Sequence, residues 1–386
     1  MNNTVFFSQF TSMVRDIFAT DSFIPLHAPQ FKGREKELVL QTLESTFVST
    51  VGDLVEEFEG HLTQYTGATY AVATNSGTAA LHTALHLTGI RPGEEVITVP
   101  LTFVATCNAI RYCGANPVFV DVEWQTLGLC PNSLGDFLEA HAQVRDDGFC
   151  WNHTSEKIIR ACIPVHNLGH SVRIREIAEI CARYNIYLIE DAAESLGSFE
   201  NGVHTGRTGC IGTISFNGNK IITTGGGGAL ITDDETLAQR AKHCITTAKQ
   251  THPWLFLHDE LGFNYRLPNI NAALGCGQIE QLSKFVDLKR ALAQRYKSWF
   301  DNIIDVDFFS EPVTACSNYW LNAILLKDRN MRDEFLEFTN SAGVMTRPMW
   351  TPMHTLPMYQ DCQRNDLPIA EAIESRLANI PSSVIE

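Results

Sequence analysis

The chain has no CxxC pair, although it contains 11 cysteines scattered between Cys107 and Cys362. Scattered cysteines without metal-ligand spacing are typical of reduced thiols in a cytosolic protein. We therefore expect a cytoplasmic protein with no cysteine-bound metal. Residues 1–23 lack a basic segment followed by a long apolar core, which argues against a signal peptide. No apolar run reaches the roughly 18 residues that a membrane-spanning helix needs.

Positive charge is also scarce. The 29 Lys and Arg residues stand against 44 Asp and Glu residues, which gives a formal net charge of −15. A general binder of nucleic acid or anionic membrane needs a positive surface, so we expect neither partner. This charge does not exclude a local pocket for a phosphorylated small molecule. The length of 386 residues fits two domains, or one large domain with an appendage.

Two nucleotide-binding motifs are missing as well. No GxGxxG follows the first predicted strand, which argues against a nicotinamide dinucleotide enzyme. The four glycines at 225–228 are not followed by the Lys-Ser/Thr pair of a P-loop. We interpret them as a flexible turn that gives the backbone room near a ligand.

Strand-like and helix-like segments alternate along the first two thirds of the chain. Continuous apolar strands between helices indicate an α/β fold with a mostly parallel sheet that is buried on both faces. After about residue 270, a helical stretch at 271–302 and few strand signals indicate a smaller α+β domain. We predict a large domain at 1–270, with an N-terminal arm at about 1–33, and a small C-terminal domain at 271–386. The predicted strands are 69–74, 95–100, 117–122, 157–166, 186–191, 211–216 and 229–233.

Ligands of such sheets bind beyond the carboxyl ends of the strands, so the residues that follow each strand are the candidates for a site. Taken singly, each has an ordinary structural explanation. Ser76 fits a helix N-cap, and a buried histidine such as His166 is usually a satisfied core residue. The residues at these ends are Ser76-Gly77-Thr78, Phe103, His166, Asp191 with Glu194, and Asn219-Lys220.

Together these residues indicate pyridoxal phosphate. Its aldehyde forms a Schiff base with a lysine, and an aspartate pairs with its pyridine nitrogen. An anionic aspartate keeps that nitrogen protonated, and an aromatic side chain can stack on the ring. The start of a helix at Ser76-Gly77-Thr78 offers N–H groups and a favourable dipole to a phosphate.

The same segments resemble the DegT/DnrJ/EryC1/StrS family of nucleotide-sugar aminotransferases, from about residue 24 onward. The resemblance is strongest to the branch that aminates 4-keto-6-deoxy sugars on UDP or GDP, which includes legionaminic-acid-pathway and perosamine-type enzymes. It implies the fold of type I pyridoxal-phosphate-dependent transferases. The segments that carry it include IPLHAPQFKGREKELV, NSGTAALHTAL, EVITVPLTFVATCNAI, IEDAAESLGS, SFNGNKIITTGGGGALIT, GFNYRLPNINAALG and RPMWTPMHTLPMY.

The resemblance also implies roles for single residues. Lys220 corresponds to the catalytic Schiff-base lysine, Asp191 to the acid at the pyridine nitrogen and Phe103 to the stacking aromatic. Glu194 takes the position that faces the cofactor 3-oxygen. Asn264 corresponds to a residue that reaches the phosphate of the cofactor bound in the partner subunit, which implies a homodimer with shared active sites. The phosphate contacts implied are Gly77, Thr78, Ala79 and Ser215, and His166, Arg266 and Arg347 are candidate substrate contacts.

The activity implied is transfer of an amino group from L-glutamate to the 4-keto group of a nucleotide-linked sugar, for polysaccharide or glycan biosynthesis. A sugar dehydratase or lyase on the same fold is one alternative. Family members with histidine at the lysine position are dehydratases, so Lys220 argues against that activity. A non-catalytic, cofactor-binding regulator is the other alternative, and the presence of Lys220, Asp191 and Ser215 argues against it.

Overall fold

The computed structural model describes residues 3–385 of the chain. Three short 3-10 turns lie at Asn167–Gly169, Met353–Thr355 and Pro357–Tyr359. The helices are α1 (Asn3–Phe18), α2 (Glu35–Ser45), α3 (Asp53–Thr66), α4 (Gly77–Leu87), α5 (Ala105–Tyr112), α6 (Pro131–His141), α7 (Ile174–Arg183), α8 (Glu235–Ile245), α9 (Asn269–Ile279), α10 (Leu282–Phe300), α11 (Arg329–Ser341) and α12 (Pro368–Arg376).

The strands form three sheets. The largest sheet has nine strands and the second has four. The strands are β1 (Tyr70–Thr74), β2 (Glu95–Thr98), β3 (Asn116–Phe119), β4 (Ala142–Val144), β5 (Cys150–Asn152), β6 (Lys157–Ile163), β7 (Tyr187–Asp191), β8 (Phe199–Glu200), β9 (Val203–His204), β10 (Ile211–Ser215), β11 (Gly228–Thr232), β12 (Val306–Phe308), β13 (Ala315–Cys316), β14 (Asn322–Leu326), β15 (Arg347–Pro348) and β16 (Leu377–Ile380).

The large sheet has the strand order β1-β11-β10-β7-β6-β2-β3, and β5 and β4 continue it beside β6. The run from β10 to β3 is parallel, whereas β11 is antiparallel to both of its neighbours. Because the parallel strands point the same way, their carboxyl ends share one edge of the sheet. The predicted α/β fold with a mostly parallel central sheet is confirmed.

The C-terminal part builds a smaller antiparallel sheet with the order β12-β14-β16-β15. The expected helical stretch at 271–302 is two helices, α9 and α10, which are separated at Glu280 and Gln281. A third sheet, β13-β8-β9, pairs residues from both parts of the chain. The domain limits 1–270 and 271–386 stay a prediction. Among the described residues, no helix combines the length and the apolar character required to cross a membrane.

Helix α1 was not predicted, because residues 1–25 carry only a weak pattern. Its buried side chains nevertheless recur with helical spacing, at Phe6, Phe7, Phe10 and Val14. They pack into the core of the C-terminal part, where the ring of Phe10 lies 4.9 Å from the ring of Phe335. The expected N-terminal arm therefore begins with a helix that packs against α10 and α11.

Candidate active site

A cavity of about 450 Å³ opens at the carboxyl edge of the parallel strands. The chain reaches it directly after β2, β7 and β10, as the strand-end argument predicts. Polar and aromatic side chains from separate segments therefore face one space. Of the predicted site residues, Gly77, Thr78, Phe103, Asp191, Glu194, Ser215 and Lys220 line this cavity.

Lys220 lies in the turn after β10 and points its amine into the cavity. Its Nζ is 3.5 Å from Oε1 of Glu194, and it lies 3.9 Å from the ring centroid of Trp320. The backbone N–H of Lys220 donates to the carbonyl of Asn217 and closes the turn. The lysine amine thus sits between a carboxylate and the face of an indole ring.

Asp191 ends β7 and is buried. Its Oδ2 accepts a hydrogen bond of 2.7 Å from the hydroxyl of Thr106, and its Oδ1 accepts one of 3.2 Å from the backbone N–H of Ala193. Burial raises the pKa of the Asp191 carboxyl, and these two hydrogen bonds and the charge of Lys220 oppose that rise. A cationic group placed against Asp191 would favour its ionised form.

Glu194 is the second buried acid of the cavity. Its Oε2 accepts a hydrogen bond of 2.8 Å from the backbone N–H of Leu168. Burial raises the pKa of Glu194, and the charge of Lys220 acts in the opposite direction. The two acids thus accept hydrogen bonds from separate donors, and the charge of Lys220 acts to lower the pKa of both.

The start of α4 forms the polar end of the cavity. The hydroxyl of Ser76 caps the helix by accepting a hydrogen bond of 3.1 Å from the N–H of Ala79. The backbone N–H groups of Gly77 and Thr78 belong to the same first turn and are not used by this cap, so they are available to bind an anion. A Cβ at Gly77 would lie 2.8 Å from Cβ of Ser215, so only glycine allows this close approach.

Phe103 follows β2 and is 55% exposed, with its ring centroid 5.8 Å from that of Trp350. The two rings make an edge-on contact at an interplanar angle of 66°. Nε1 of Trp350 is buried and has no hydrogen-bond partner among residues 3–385. Two aromatic side chains, Phe103 and Trp350, therefore line this part of the cavity.

Five predicted residues lie outside the cavity lining. Ala79 is one of them, in the first turn of α4, where its N–H donates to the Ser76 hydroxyl. His166 is buried in a different network, because its Nε2 pairs with Oε2 of Glu190 at 2.9 Å and its Nδ1 accepts from the N–H of Val172 at 3.3 Å. The other three are more accessible to solvent. Asn264 is exposed, and the half-buried Arg266 lies 3.5 Å from Oδ1 of Asn264. Arg347 is exposed on β15.

The sequence argument missed several lining residues, among them Thr106, Trp320 and Trp350. Thr106 lies in the first turn of α5, and its position three residues after Phe103 is a signal that could have identified it. The two tryptophans belong to the C-terminal part of the chain. No spacing rule connects them with the strand ends of the large sheet.

All 11 cysteines are free thiols in the structure. Two groups outside the cavity bring possible metal ligands within 4.8 Å of one another. The expectation of no bound metal therefore stays a prediction. The two groups are Glu57, His61 and Cys276, and His86, Cys244 and Glu260.

Comparison with known proteins decides the family. Residues 29–384 match the model of the DegT/DnrJ/EryC1/StrS aminotransferase family. The chain belongs to this family. A GDP-perosamine synthase of Escherichia coli O157:H7 is 36% identical over 360 residues, which cover 93% of this chain and 93% of that protein. The aminotransferase is thus similar to the perosamine-synthase branch, as the sequence motifs predict.

Two further relatives agree with this assignment. The putative pyridoxal phosphate-dependent aminotransferase EpsN of Bacillus subtilis is 36% identical, over 87% of this chain and 84% of its own length. The crystal structure of a DegT DnrJ EryC1 StrS aminotransferase from Brucella abortus superimposes with a TM-score of 0.82 at 26% identity, covering 90% of each chain. The protein is a pyridoxal-phosphate-dependent sugar aminotransferase.

The cavity of the aminotransferase fits pyridoxal phosphate on its own geometry. A lysine amine and a buried carboxylate face the same space, from Lys220 and Asp191. The first turn of α4 can offer the N–H groups of Gly77 and Thr78 to a phosphate, and Gly77 lets this turn lie close to Ser215. Phe103 supplies an exposed aromatic face. An amine, a carboxylate, a phosphate site and an aromatic face are the groups that the cofactor requires.

Proposed function

We propose that the protein transfers the amino group of L-glutamate to the 4-keto group of a 4-keto-6-deoxy sugar linked to UDP or GDP. The observation that carries the proposal is the convergence of Lys220, Asp191 and Glu194 in one cavity, in a chain of this family. Bound pyridoxal phosphate supplies an aldehyde that carries the amino group and a ring that accepts electron density.

Lys220 is the proposed catalytic residue. Its amine, held next to Glu194, is the group placed to bind the cofactor and then to take the proton from Cα of the amino donor. Glu194 accepts from Leu168 through one oxygen, which leaves its other oxygen directed at the lysine. A lysine at this position, where dehydratases of the family have histidine, supports amino transfer over dehydration.

Asp191 is the proposed partner of the pyridine nitrogen. Its hydrogen bonds with Thr106 and Ala193 fix the orientation of the carboxylate, and burial excludes water from it. A fixed anion in such a site stabilises a protonated ring nitrogen without reorganisation. Phe103, which is largely exposed, is the proposed stacking residue.

The residues proposed to form the phosphate site are Gly77, Thr78, Ala79 and Ser215. The first three form the N-terminal turn of α4, and Ser215 ends the adjacent strand β10. The N–H of Ala79 is already bound by the Ser76 cap, so its contribution is to hold the turn in place. The backbone of Gly77 and Thr78 would then contact the phosphate directly.

The sugar substrate is proposed from the relatives. GDP-perosamine synthases of Escherichia coli O157:H7 and Caulobacter vibrioides are 36% and 35% identical to the chain. Similarity that extends over more than nine tenths of each chain supports a nucleotide-linked keto sugar as the acceptor. Arg347 and Arg266, which lie outside the lining, would contact the substrate only from the rim or across a subunit interface.

A homodimer with shared active sites is the proposed assembly. Asn264, the residue expected to serve the partner subunit, is exposed and does not line the cavity of its own chain. Large apolar side chains are exposed eight to ten residues before it, with Trp254 at 76% and Phe256 at 79%. Exposed aromatic residues in a cluster are typical of an interaction surface.

The test is an amination assay with L-glutamate and a panel of UDP-, GDP- and dTDP-linked 4-keto-6-deoxy sugars. We expect one nucleotide class to be aminated, and we expect Lys220→Ala to abolish turnover while the protein still binds the cofactor. The exposed Lys327→Ala is the matched control and should remain active. Turnover by Lys220→Ala, or no amination of any sugar in the panel, would contradict the proposal.

A further inference from the structure

Trp320 contacts the proposed catalytic lysine from a distant part of the chain. It precedes β14 of the small sheet, whereas Lys220 follows β10 of the large sheet. The indole is almost fully buried, and Nζ of Lys220 lies 3.9 Å from its ring centroid. The face of the ring, and not its edge, is therefore what the ammonium group meets.

Three hydrogen bonds hold Trp320 in this orientation. Its backbone N–H donates to Oδ1 of Asn318 at 2.7 Å, and its indole Nε1 donates to the carbonyl of Asn219 at 2.7 Å. Its own carbonyl accepts from Nζ of the buried Lys289 at 3.1 Å. The bond with Asn219 attaches the ring to the residue directly before Lys220, so the ring and the lysine turn are fixed relative to each other.

Asn318 connects the backbones of the two residues that contact the lysine. Its Oδ1 accepts from Trp320, and its Nδ2 donates to the backbone carbonyl of Glu194 at 3.0 Å. A Cβ at Gly169 would lie 1.9 Å from this same Oδ1, which shows how closely the backbone surrounds the amide. The backbones of Glu194 and Trp320, whose side chains face Lys220, are thus joined through one buried side chain.

We propose that Trp320 is a positioning residue for Lys220, whose ammonium group docks on the indole face whenever the lysine is not bound to the cofactor. An ammonium over a buried tryptophan ring is attracted by the negative face of the ring. A lysine side chain otherwise has many rotamers, and holding it in one of them keeps the amine within reach of the reacting atoms. The inference rests on the proposed function of Lys220.

The first test is a spectroscopic one on the cofactor-free protein. Lysine labelled with ¹³C at Cε gives one resonance for each lysine, and Lys220→Arg identifies the resonance of Lys220. Protons above an aromatic ring are shifted upfield by its ring current. We expect the Lys220 resonance to be shifted upfield from those of the other lysines, and to return to their range in Trp320→Leu.

Two variants separate positioning from a general structural effect. Trp320→Phe retains a ring face but has no N–H for Asn219, so it should keep part of the upfield shift. Trp350→Leu removes a tryptophan that lines the same cavity and has no ring contact with Lys220, and it should leave the resonance unchanged. If Trp320→Leu fails to fold, the Phe variant still tests the proposal.

The second test is the rate at which the cofactor-free protein captures pyridoxal phosphate through Lys220, followed by visible absorbance. A misplaced lysine should slow capture about tenfold in Trp320→Leu and less in Trp320→Phe. An unshifted Lys220 resonance in the wild type, or an unchanged capture rate in Trp320→Leu, would overturn the proposal. Failure of the proposed function appears separately, as turnover by Lys220→Ala, and does not alter the ring-current result.

Discussion

The hydroxyl of Thr106 donates a hydrogen bond of 2.7 Å to Oδ2 of Asp191. This bond lowers the pKa of Asp191 against the opposing effect of burial. Thr106→Val removes the donor and should raise that pKa further, so a larger fraction of the carboxyl is neutral at acid pH. We expect kcat/KM to fall about tenfold at pH 6 and less at pH 8.

The measurement is the pH profile of kcat/KM for the wild type and Thr106→Val. The acid limb of the profile should move to higher pH in the variant. Thr83→Val is the control, because the buried Thr83 hydroxyl donates to the carbonyl of Ala79 within α4 and, among residues 3–385, has no hydrogen bond with Asp191. Identical profiles for the wild type and Thr106→Val would contradict the role of Asp191 as a required anion.

Gly77 allows α4 to approach Ser215. In Gly77→Ala the new methyl group would meet Cβ of Ser215 at 2.8 Å, so the turn that should hold the phosphate has to move. We expect the Kd for pyridoxal phosphate to rise about tenfold or more. Gly60→Ala is the matched control, since a Cβ at this exposed position in α3 has no atom within 4 Å. Unchanged cofactor affinity in Gly77→Ala would argue against this helix start as the phosphate site.

His170 should make the protein less stable in acid. Burial, with a smaller effect of the charge of Arg290, lowers its pKa to about 3. The unfolded chain therefore binds a proton below pH 6.5 that the folded chain does not accept, so stability falls as the pH falls from about 6.5 towards 3. This single group should lower the free energy of unfolding by about 2 kcal/mol at pH 5 relative to pH 7.

His170→Phe should remove that part of the pH dependence. The replacement keeps the ring between Phe309 and Tyr319, although it loses the hydrogen bond between Nδ1 and the Ser317 hydroxyl. Urea unfolding at pH 7 and pH 5 provides the comparison, with exposed His153→Gln as the control. An equally steep loss of stability in His170→Phe would show that other groups cause it.

The exposed aromatic segment around Phe256 should form part of the subunit interface. Phe256→Glu places a charge where we expect an apolar contact, and it should yield monomers with little activity. Val313→Glu, at another fully exposed apolar position, should leave assembly and activity unchanged. Light scattering and the amination assay measure the two properties. An active dimer of Phe256→Glu would place the interface elsewhere.

Local pattern alone was enough to predict the central sheet and the residues at its carboxyl edge. Strands that alternate with helices mostly run parallel, because each helix returns the chain to the same edge of the sheet, so the carboxyl ends of these strands lie together. Lys220, Asp191 and Phe103 follow such strands, and all three line the cavity. The same argument could not tell that His166, which also follows a strand, would turn towards Glu190 instead.

The amino-acid sequence by itself therefore determined the sheet, its reactive edge and the family of the chain. Tertiary packing decided which distant side chains complete the site. Trp320 and Trp350 reach the cavity only because the C-terminal part folds back over the strand ends, and α1 is buried only because α10 and α11 offer an apolar surface. Residues that follow a strand can be identified from their neighbours along the chain. The contacts of Trp320, Trp350 and α1 depend instead on how separate elements pack in space.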